Sequence, residues 1–374
     1  MHKIMWTCLL GLVGACAVEP EAPGAPGEAP VSAEEQALFA YYPMGFARVT
    51  AAGAVATQVN TAGGPVTVSH STGSYTVTFA GLGVPVSADA SGGHIQIAAE
   101  GTSNVRCRTL WWSGSPNLSA SVQCNAPDGT LADSAFTVLF FRYAMPAPNP
   151  WPTSAAYAWV TAAGGVPAAY DYNSSGTHNT VTKGGTGSYT VWISNASAIN
   201  ASMMVTSYGG AAGTVCSVAS WGAGATSIEC RDRLGNLVDS AFAFSYSTTG
   251  PTMEQQGAHA WFDGAAVHGT YSAALGKVIG CSAANVSGSL GPGSLATIVV
   301  SGELGSWDAS PFLRASLVSK YGSAGYCKVE SLTSVEGASS TATTTVRCYS
   351  ATGAVIATPK FTFTHVTSDA SGPC

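Results

Sequence analysis

Alternation of apolar and polar residues is the main pattern along this chain. Tyr75, Val77 and Phe79 alternate with threonines, and residues 136–140 and 242–246 keep the same period of two. Such alternation is typical of half-buried β-strands, and no long stretch of the sequence has the helical period of about 3.6. About six or seven such runs in each hundred residues, separated by Gly, Asn and Asp turns, predict antiparallel β-sandwiches that are broadly immunoglobulin-like.

The strand pattern occurs in internal repeats. TGSYTVTF at residues 72–79 returns as TGSYTVWI at 186–193, and a reduced form follows at 293–295. An aromatic entry strand precedes each copy: Phe39-Ala40-Tyr41, Tyr157-Ala158-Trp159 and His259-Ala260-Trp261. A pair ending in glycine follows each copy: Glu100-Gly101, Tyr208-Gly209 and Tyr321-Gly322. These marks predict three tandem modules, at 36–147, 153–250 and 254–374, with the proline-rich residues 146–152 as a stiff joint.

The cysteines follow the same repeat. There are three closely spaced cysteine pairs, and the second cysteine of each pair begins a C-x4-G sequence. In the first two modules a D-S-A-F sequence comes next. Each short pair is expected to join neighbouring strands, which contributes about 3 kcal/mol in the chain-entropy model. The expected disulfides are Cys107 with Cys124, Cys216 with Cys230, Cys327 with Cys348, and Cys281 with Cys374. Zinc is the competing explanation, but a C-x2-C pair with nearby histidines is missing, so no metal is expected.

The N-terminus has the features of an export signal. His2 and Lys3 precede an apolar run of about a dozen residues, which is too short to cross a bilayer. The run ends at Val13-Gly14-Ala15-Cys16, which resembles the lipobox of bacterial lipoproteins. That resemblance implies a signal peptide at 1–15, lipidation of Cys16 and, with the non-acidic Ala17 next, sorting to the outer membrane. The alternative is ordinary secretory cleavage at the A-x-A pattern, which gives a periplasmic or secreted protein.

Composition narrows the class of protein further. Residues 16–35 are rich in Pro, Ala, Gly and Glu and predict a disordered tether between the lipid anchor and the folded body. Of the 374 residues only 9% are charged, the hydrophobic fraction is 46%, and the net charge is -6. Nucleic acid is therefore not an expected partner, because the chain has no basic track. Disulfides agree with export to an oxidising compartment.

Candidate chemistry is sparse. Trp111, Trp112 and Trp221 are candidate platforms for stacking on a sugar, and packing within or over a sheet is the alternative for them. Asp133 and Asp239, with Asp128 and Asp232 upstream, are either oxygen ligands for Ca²⁺ or caps of the backbone in a turn. His259, His268 and His365 share one module and could converge on a site, or they are packed side chains. The sequence contains no H-E-x-x-H, G-x-S-x-G or P-loop motif, so no catalytic residue and no cofactor is expected.

The combined motifs resemble repeat modules of secreted bacterial proteins that have no established function. The second module carries them best: Gly187-Ser188-Tyr189-Thr190-Val191, Tyr208-Gly209, Cys216-Ser217-Val218-Ala219-Ser220-Trp221, Cys230 and Asp239-Ser240-Ala241-Phe242. The resemblance implies exported β modules and no activity. We therefore expect a surface-displayed, non-enzymatic lipoprotein that binds carbohydrate or another envelope protein, or that has a structural role. The alternative is an enzyme, or an inhibitor of one, with its site at a module junction.

Overall fold

The computed structural model describes three segments of the chain. The first segment is residues 43–142 without 84 and 87–89, and the second is 155–248 without 195, 197–200 and 223. The third segment consists of residues 257–272, 285–301, 314–335 without 323, and 341–367. The predicted signal peptide, the tether with Cys16, the 146–152 joint and the pairing of Cys281 with Cys374 therefore lie outside the described residues.

Each segment contains eight strands among its described residues. In the first segment they are β1 (Met44–Val49), β2 (Val55–Asn60), β3 (Val66–Ser71), β4 (Ser74–Phe79), β5 (His94–Glu100), β6 (Arg106–Ser113), β7 (Leu118–Asn125) and β8 (Ala135–Phe141). In the second they are β9 (Ala155–Val160), β10 (Asp171–Asn173), β11 (Thr180–Gly185), β12 (Ser188–Trp192), β13 (Ser202–Tyr208), β14 (Val215–Gly222), β15 (Ala225–Arg231) and β16 (Ala241–Ser247). In the third they are β17 (Gly257–Phe262), β18 (Val267–Ser272), β19 (Asn285–Leu290), β20 (Ala296–Ser301), β21 (Arg314–Lys320), β22 (Tyr326–Val335), β23 (Thr341–Tyr349) and β24 (Phe361–Thr367).

The expectation of an all-β protein is confirmed. The helical elements of the described residues are two short 3-10 turns, Ala168–Tyr170 and Pro292–Ser294. Among these residues no helix has the length and apolar character needed to span a membrane.

The strands of each segment pair in the same order, with neighbours antiparallel. One set of four is β2-β1-β8-β5 in the first segment, β10-β9-β16-β13 in the second and β18-β17-β24-β21 in the third. The other set is β3-β4-β7-β6, then β11-β12-β15-β14, then β19-β20-β23-β22. Parallel contacts of β13 with β6 and of β22 with β5 fuse four of these sets into two eight-stranded sheets. Hydrogen bonding between strands therefore crosses from one segment to another.

The hydrophobic core explains both the alternating and the fully buried strands. Strand β4 alternates half-buried and buried residues, as its sequence predicts. Strand β8 is buried on both faces, although a half-buried strand is expected from its period of two. Phe136 and Val138 pack in the core of the first segment. Leu139 and Phe141 belong to a separate hydrophobic cluster that contains residues of all three segments. The second face of β8 is thus covered by the neighbouring segments.

The three short disulfides are confirmed. Cys107 pairs with Cys124, Cys216 with Cys230 and Cys327 with Cys348. Each joins directly opposite residues of adjacent strands in one sheet, whereas the immunoglobulin disulfide bridges two sheets. The bonds indicate an oxidising compartment.

The structure corrects two of the expected motif equivalences. Residues 39–41 lie outside the described region, and the strand equivalent to Tyr157-Ala158-Trp159 is instead Phe46-Ala47-Arg48, because Ala47 pairs with β8 as Ala158 pairs with β16. In the third segment Ala296, and not Leu295, lies opposite the residue two before the cysteine, where the first two segments have tyrosine. The repeated sequence had placed this position one residue too early.

Candidate functional site

Hydrogen bonds join the repeated T-G-S-Y sequence to the repeated D-S sequence. Oδ1 of Asp133 accepts a hydrogen bond from the backbone N–H of Gly73 at 2.6 Å, and His70 Nε2 lies 2.9 Å from the same oxygen. The hydroxyl of Tyr75 donates to the Ala51 carbonyl at 2.9 Å and accepts from the Ser134 N–H at 3.2 Å. The two motifs, about sixty residues apart, form one hydrogen-bonded unit.

The second segment has the same arrangement. Asp239 accepts from the Gly187 N–H at 2.8 Å and from Lys183 Nζ at 2.6 Å. The Tyr189 hydroxyl donates to the Ala162 carbonyl and accepts from the Ser240 N–H. The hydrogen bonds from Lys183 and from the Gly187 N–H lower the pKa of Asp239, so its carboxylate stays ionised. Both aspartates therefore cap backbone N–H groups, but in the distant β3–β4 and β11–β12 turns and not in a nearby turn as expected.

The expected glycine turn is also present. Gly129, Gly235 and Gly353 have φ angles of 91°, 88° and 89°, in the left-handed region that favours glycine. Upstream, Asp128 accepts from the Thr130 N–H and Asp232 from the Leu234 N–H. The side chains proposed for calcium are thus occupied in turns, and the described residues hold no group of three or more His, Cys, Asp and Glu that could ligate a metal.

A backbone hydrogen bond at an equivalent position joins each pair of segments, and we call these three contacts the junctions. The first junction joins Gly209 of the second segment to Thr109 of the first, by an N–H to O=C bond of 2.8 Å. At the second junction Gly322 of the third segment donates to Val218 of the second at 3.0 Å, and at the third Gly101 of the first donates to Val329 of the third at 2.8 Å. Every donor is the glycine of a Glu-Gly or Tyr-Gly pair, and every acceptor lies two residues after a cysteine.

Aromatic side chains fill the first junction. Trp112 of the first segment packs edge-on against Tyr170 and Tyr208 of the second, with centroid distances of 5.4 and 5.2 Å. Trp159 lies 5.2 Å from Tyr208 and 6.5 Å from Trp112. The Trp112 indole N–H donates to the Gly92 carbonyl at 3.0 Å, so its polar atom is satisfied although the side chain is buried.

The second junction has a smaller version of this cluster. Trp221 of the second segment lies 4.2 Å from Tyr321 and 5.6 Å from Trp261 of the third. His268 stacks on Trp261 at 4.3 Å and reaches Asp263 at 2.9 Å. Packing between segments is therefore aromatic at two of the three junctions.

The third junction is polar. Arg48 and Glu100 occupy the positions of Trp159 and Tyr208, and they form an ion pair with an N–O distance of 2.8 Å. Leu332 stands at the position of Trp112, five residues after its cysteine. Thr137 donates a hydrogen bond to the Glu100 carboxylate. An aromatic contact has been exchanged here for a partly buried charge pair.

Buried cations bind loops across the first and third junctions. Arg108, one residue after Cys107, donates to the carbonyls of Gly209 and Ala211. Lys328, one residue after Cys327, donates from Nζ to the Ser103 carbonyl at 2.8 Å. In each case the acceptor loop follows the junction glycine of the neighbouring segment.

An open groove borders the third junction. Its volume is about 340 Å³, within the size range of small-ligand sites. Thr102 and Asn104 line it from the first segment, and Glu330, Arg347 and Tyr349 line it from the third. Glu330 and Arg347 form an ion pair with each other. The groove therefore offers mainly hydrogen-bonding and charged groups to a ligand.

The three candidate tryptophans have different surroundings. Trp112 is 5% exposed and belongs to the first junction, so it cannot serve as a surface platform. Trp221 is half-buried against Tyr321. Trp111 is 41% exposed and keeps the geometry of a candidate platform. Trp192, which the sequence did not single out, is 47% exposed on β12.

The three histidines of the third segment do not all converge on one site. On adjacent strands, His365 pairs with Ala258 and His259 pairs with Thr364, so the two imidazoles are on opposite faces of the sheet. His365 Nδ1 lies 3.0 Å from Ser316 Oγ, but both side chains are buried. A substrate cannot reach this hydroxyl and imidazole pair in the present conformation.

Comparison with protein-family models, curated proteins and solved structures found no match to this chain. The interpretation of the site therefore depends on its geometry. Sequence reasoning found the cysteines, the Tyr-Gly pairs and the junction tryptophans as repeated features. It missed their common role, because the contacts between segments join residues that are distant in the sequence, such as Gly101 and Val329.

Proposed function

We propose that the chain is an exported, lipid-anchored binding protein of the cell envelope, built from three β-sandwich modules closed into a ring. Its binding site is the groove at the third junction, and its ligand is a polar envelope component such as a short carbohydrate. The observation that carries this proposal is the difference between the junctions: two are filled with aromatic side chains, and the polar third one borders an open groove.

The modular part of the proposal rests on topology and packing. In each segment the same two sets of four strands contribute side chains to a shared core, as a sandwich requires. The three junctions also use the same backbone bond at matching positions. We interpret this as three copies of one module, each docked on the next.

Because the three modules contact one another in a closed ring, we favour a protein that displays a rigid binding site over an adhesin that binds through several flexibly linked modules. Modules joined only by linkers gain avidity through effective concentration. Here each segment touches both others, and a shared core contains Phe46, Tyr157 and Leu317 from the three of them. The groove is thereby held in a fixed shape. A fixed polar site loses less entropy on ligand binding than a mobile one.

The location follows from the sequence together with the disulfides. Three disulfides require an oxidising compartment. The lipobox-like Val13-Gly14-Ala15-Cys16 and the tether at 16–35 support a lipid anchor, with outer-membrane display as the expected location.

A binding screen tests the proposal. Residues 36–374 of wild type, Asn104→Ala and Trp111→Ala are applied to a glycan array and to insoluble peptidoglycan. Asn104 lines the groove with an exposed side chain, and Trp111 lies outside it, so Trp111→Ala is the matched control. Loss of binding in Asn104→Ala alone supports the groove. Loss in Trp111→Ala alone moves the site to the exposed indole, and an absence of binding by the wild type contradicts the proposal in favour of a purely structural role.

A further inference from the structure

A small cavity lies where the three segments meet. Its volume is about 40 Å³, and it is lined by the ends of β5, β13 and β21 and the starts of β6, β14 and β22. Each segment thus contributes equivalent strands. A cavity of this size holds a single-atom ion or a few water molecules.

Two buried cations line this cavity. Arg106 is 4% exposed and Lys320 is 3% exposed, and none of the residues that line the cavity is Asp or Glu. Arg106 donates to the carbonyls of Ala351 and Pro127, and Lys320 donates from Nζ to the carbonyl of Tyr321. The acceptors of these hydrogen bonds are thus neutral carbonyls. Removing charged groups from water without a counter-charge costs several kcal/mol.

The remaining charges nearby do not neutralise the pair. Asp232 interacts electrostatically with Arg106 but does not line the cavity. Burial lowers the pKa of Lys320 to about 8, and repulsion from the nearby positive charge of Lys360 adds to this effect. Nε of Arg106 has no hydrogen-bond acceptor among the described residues.

The polar groups of the cavity wall include further donors. Ser207 Oγ accepts from the Cys216 N–H at 2.7 Å, and Ser319 Oγ accepts from the Val205 N–H at 3.1 Å. Because each oxygen already accepts a backbone bond, its hydroxyl hydrogen is left to donate. Among the described residues neither hydroxyl donates a hydrogen bond.

We propose that this cavity binds one small monovalent anion, such as chloride, at the centre of the three segments. An anion accepts hydrogen bonds from the ammonium, the guanidinium and the hydroxyls, and it supplies the negative charge that the wall lacks. It contacts all three segments at once, so its binding stabilises the closed ring.

The first test measures stability of the exported protein in sodium chloride and in sodium gluconate at equal ionic strength. We expect chloride to raise the thermal midpoint of the wild type saturably, since a ligand that binds only the folded state stabilises it. Lys320→Met should raise the half-saturating chloride concentration about tenfold or more. Lys183→Met, which removes an exposed cation that neither lines the cavity nor interacts with Lys320, should leave the chloride dependence intact. Equal midpoints in both salts for the wild type would overturn the proposal.

The second test needs no variant and covers the case in which Lys320→Met does not fold. Crystals of the wild type are soaked in sodium bromide and measured at the bromine absorption edge. An anomalous peak in the cavity, near Arg106 and Lys320, supports the site. A cavity that holds only water, or bromide found solely on the outer surface, contradicts it.

Discussion

The guanidinium of Arg48 donates to the carboxylate of Glu100 at 2.8 Å, at the strand positions that Trp159 and Tyr208 hold at the first junction. The hydrogen bond to Glu100 and the attraction of its charge raise the pKa of Arg48, although burial acts in the opposite direction. An ion pair can replace an aromatic pair at this position because β1 and β5 flank β8 on its two sides, and the Arg48 side chain reaches Glu100 across β8. Because of this exchange, the stability of the third junction is sensitive to the loss of either charge.

Glu100→Gln should lower the free energy of unfolding by about 2 kcal/mol, between the values for exposed and buried pairs, because it leaves Arg48 partly buried without a counter-charge. Urea unfolding of residues 36–374 measures this. Glu229→Gln breaks the more exposed pair with Arg231 and should cost less than about 1 kcal/mol. Equal costs for the two variants would show that the junction pair contributes no more than a surface pair.

The repeated tyrosine is a packing residue. Tyr75 and Tyr189 are each 1% exposed, as the alternation predicts, and Thr76 and Thr190 are half-buried on the other face. Tyr189→Ala should cost about 3 to 5 kcal/mol, the range for a buried aromatic side chain. Tyr189→Phe should cost about 1 kcal/mol through loss of its hydrogen bonds. Thr190→Ala, the control, should cost less than about 1 kcal/mol. Equal urea midpoints for the wild type and Tyr189→Ala would contradict the packing role.

Acid should destabilise the protein through His94. Burial lowers the pKa of this fully buried imidazole to about 3. Since that pKa lies below the unfolded value of about 6.5, the histidine contributes its full stability above pH 6.5 and loses it as the pH falls toward 3, by about 1.4 kcal/mol per pH unit. His94→Gln should flatten the fall in urea midpoint between pH 6.5 and 4. A slope in His94→Gln as steep as that of the wild type would exclude His94 as the cause.

The disulfide framework can be mapped directly. Non-reducing peptide mapping should recover the three short pairs together with Cys281 paired to Cys374, which remains a prediction. The double substitution of Cys216 and Cys230 by serine should lower the free energy of unfolding by about 3 kcal/mol, the value for closing a loop of 14 residues. A bond between two of the segments, or free thiols at these positions, would contradict the framework.

The lipid anchor is tested at Cys16. Cys16→Ala should abolish labelling by a fatty-acid analogue and move the protein to the soluble fraction, because the acceptor thiol of the lipobox is removed. Cys8→Ala, within the predicted signal peptide, is the matched control and should be labelled like the wild type. Labelling that persists in Cys16→Ala would favour ordinary secretory cleavage.

The sequence by itself determined the local structure. Period-two alternation determined the strands around Tyr75 and Tyr189, because strand side chains point to opposite faces and only one face enters the core. Spacing determined the three short disulfides, since cysteines on adjacent strands meet across a short loop. The glycine turns followed from the backbone conformation that glycine tolerates.

Only the tertiary structure decided how the segments meet. The sequence cannot show that Gly209 bonds to Thr109, that Arg48 stands where Trp159 does, or that β8 is buried on both faces, because these features depend on contacts between distant parts of the chain. The same reason separates Trp112 from Trp111: neighbouring residues on one strand face opposite sides, and the adjacent segment covers only one of them. Local pattern defines a strand, and the surface that covers it is defined by the assembled fold.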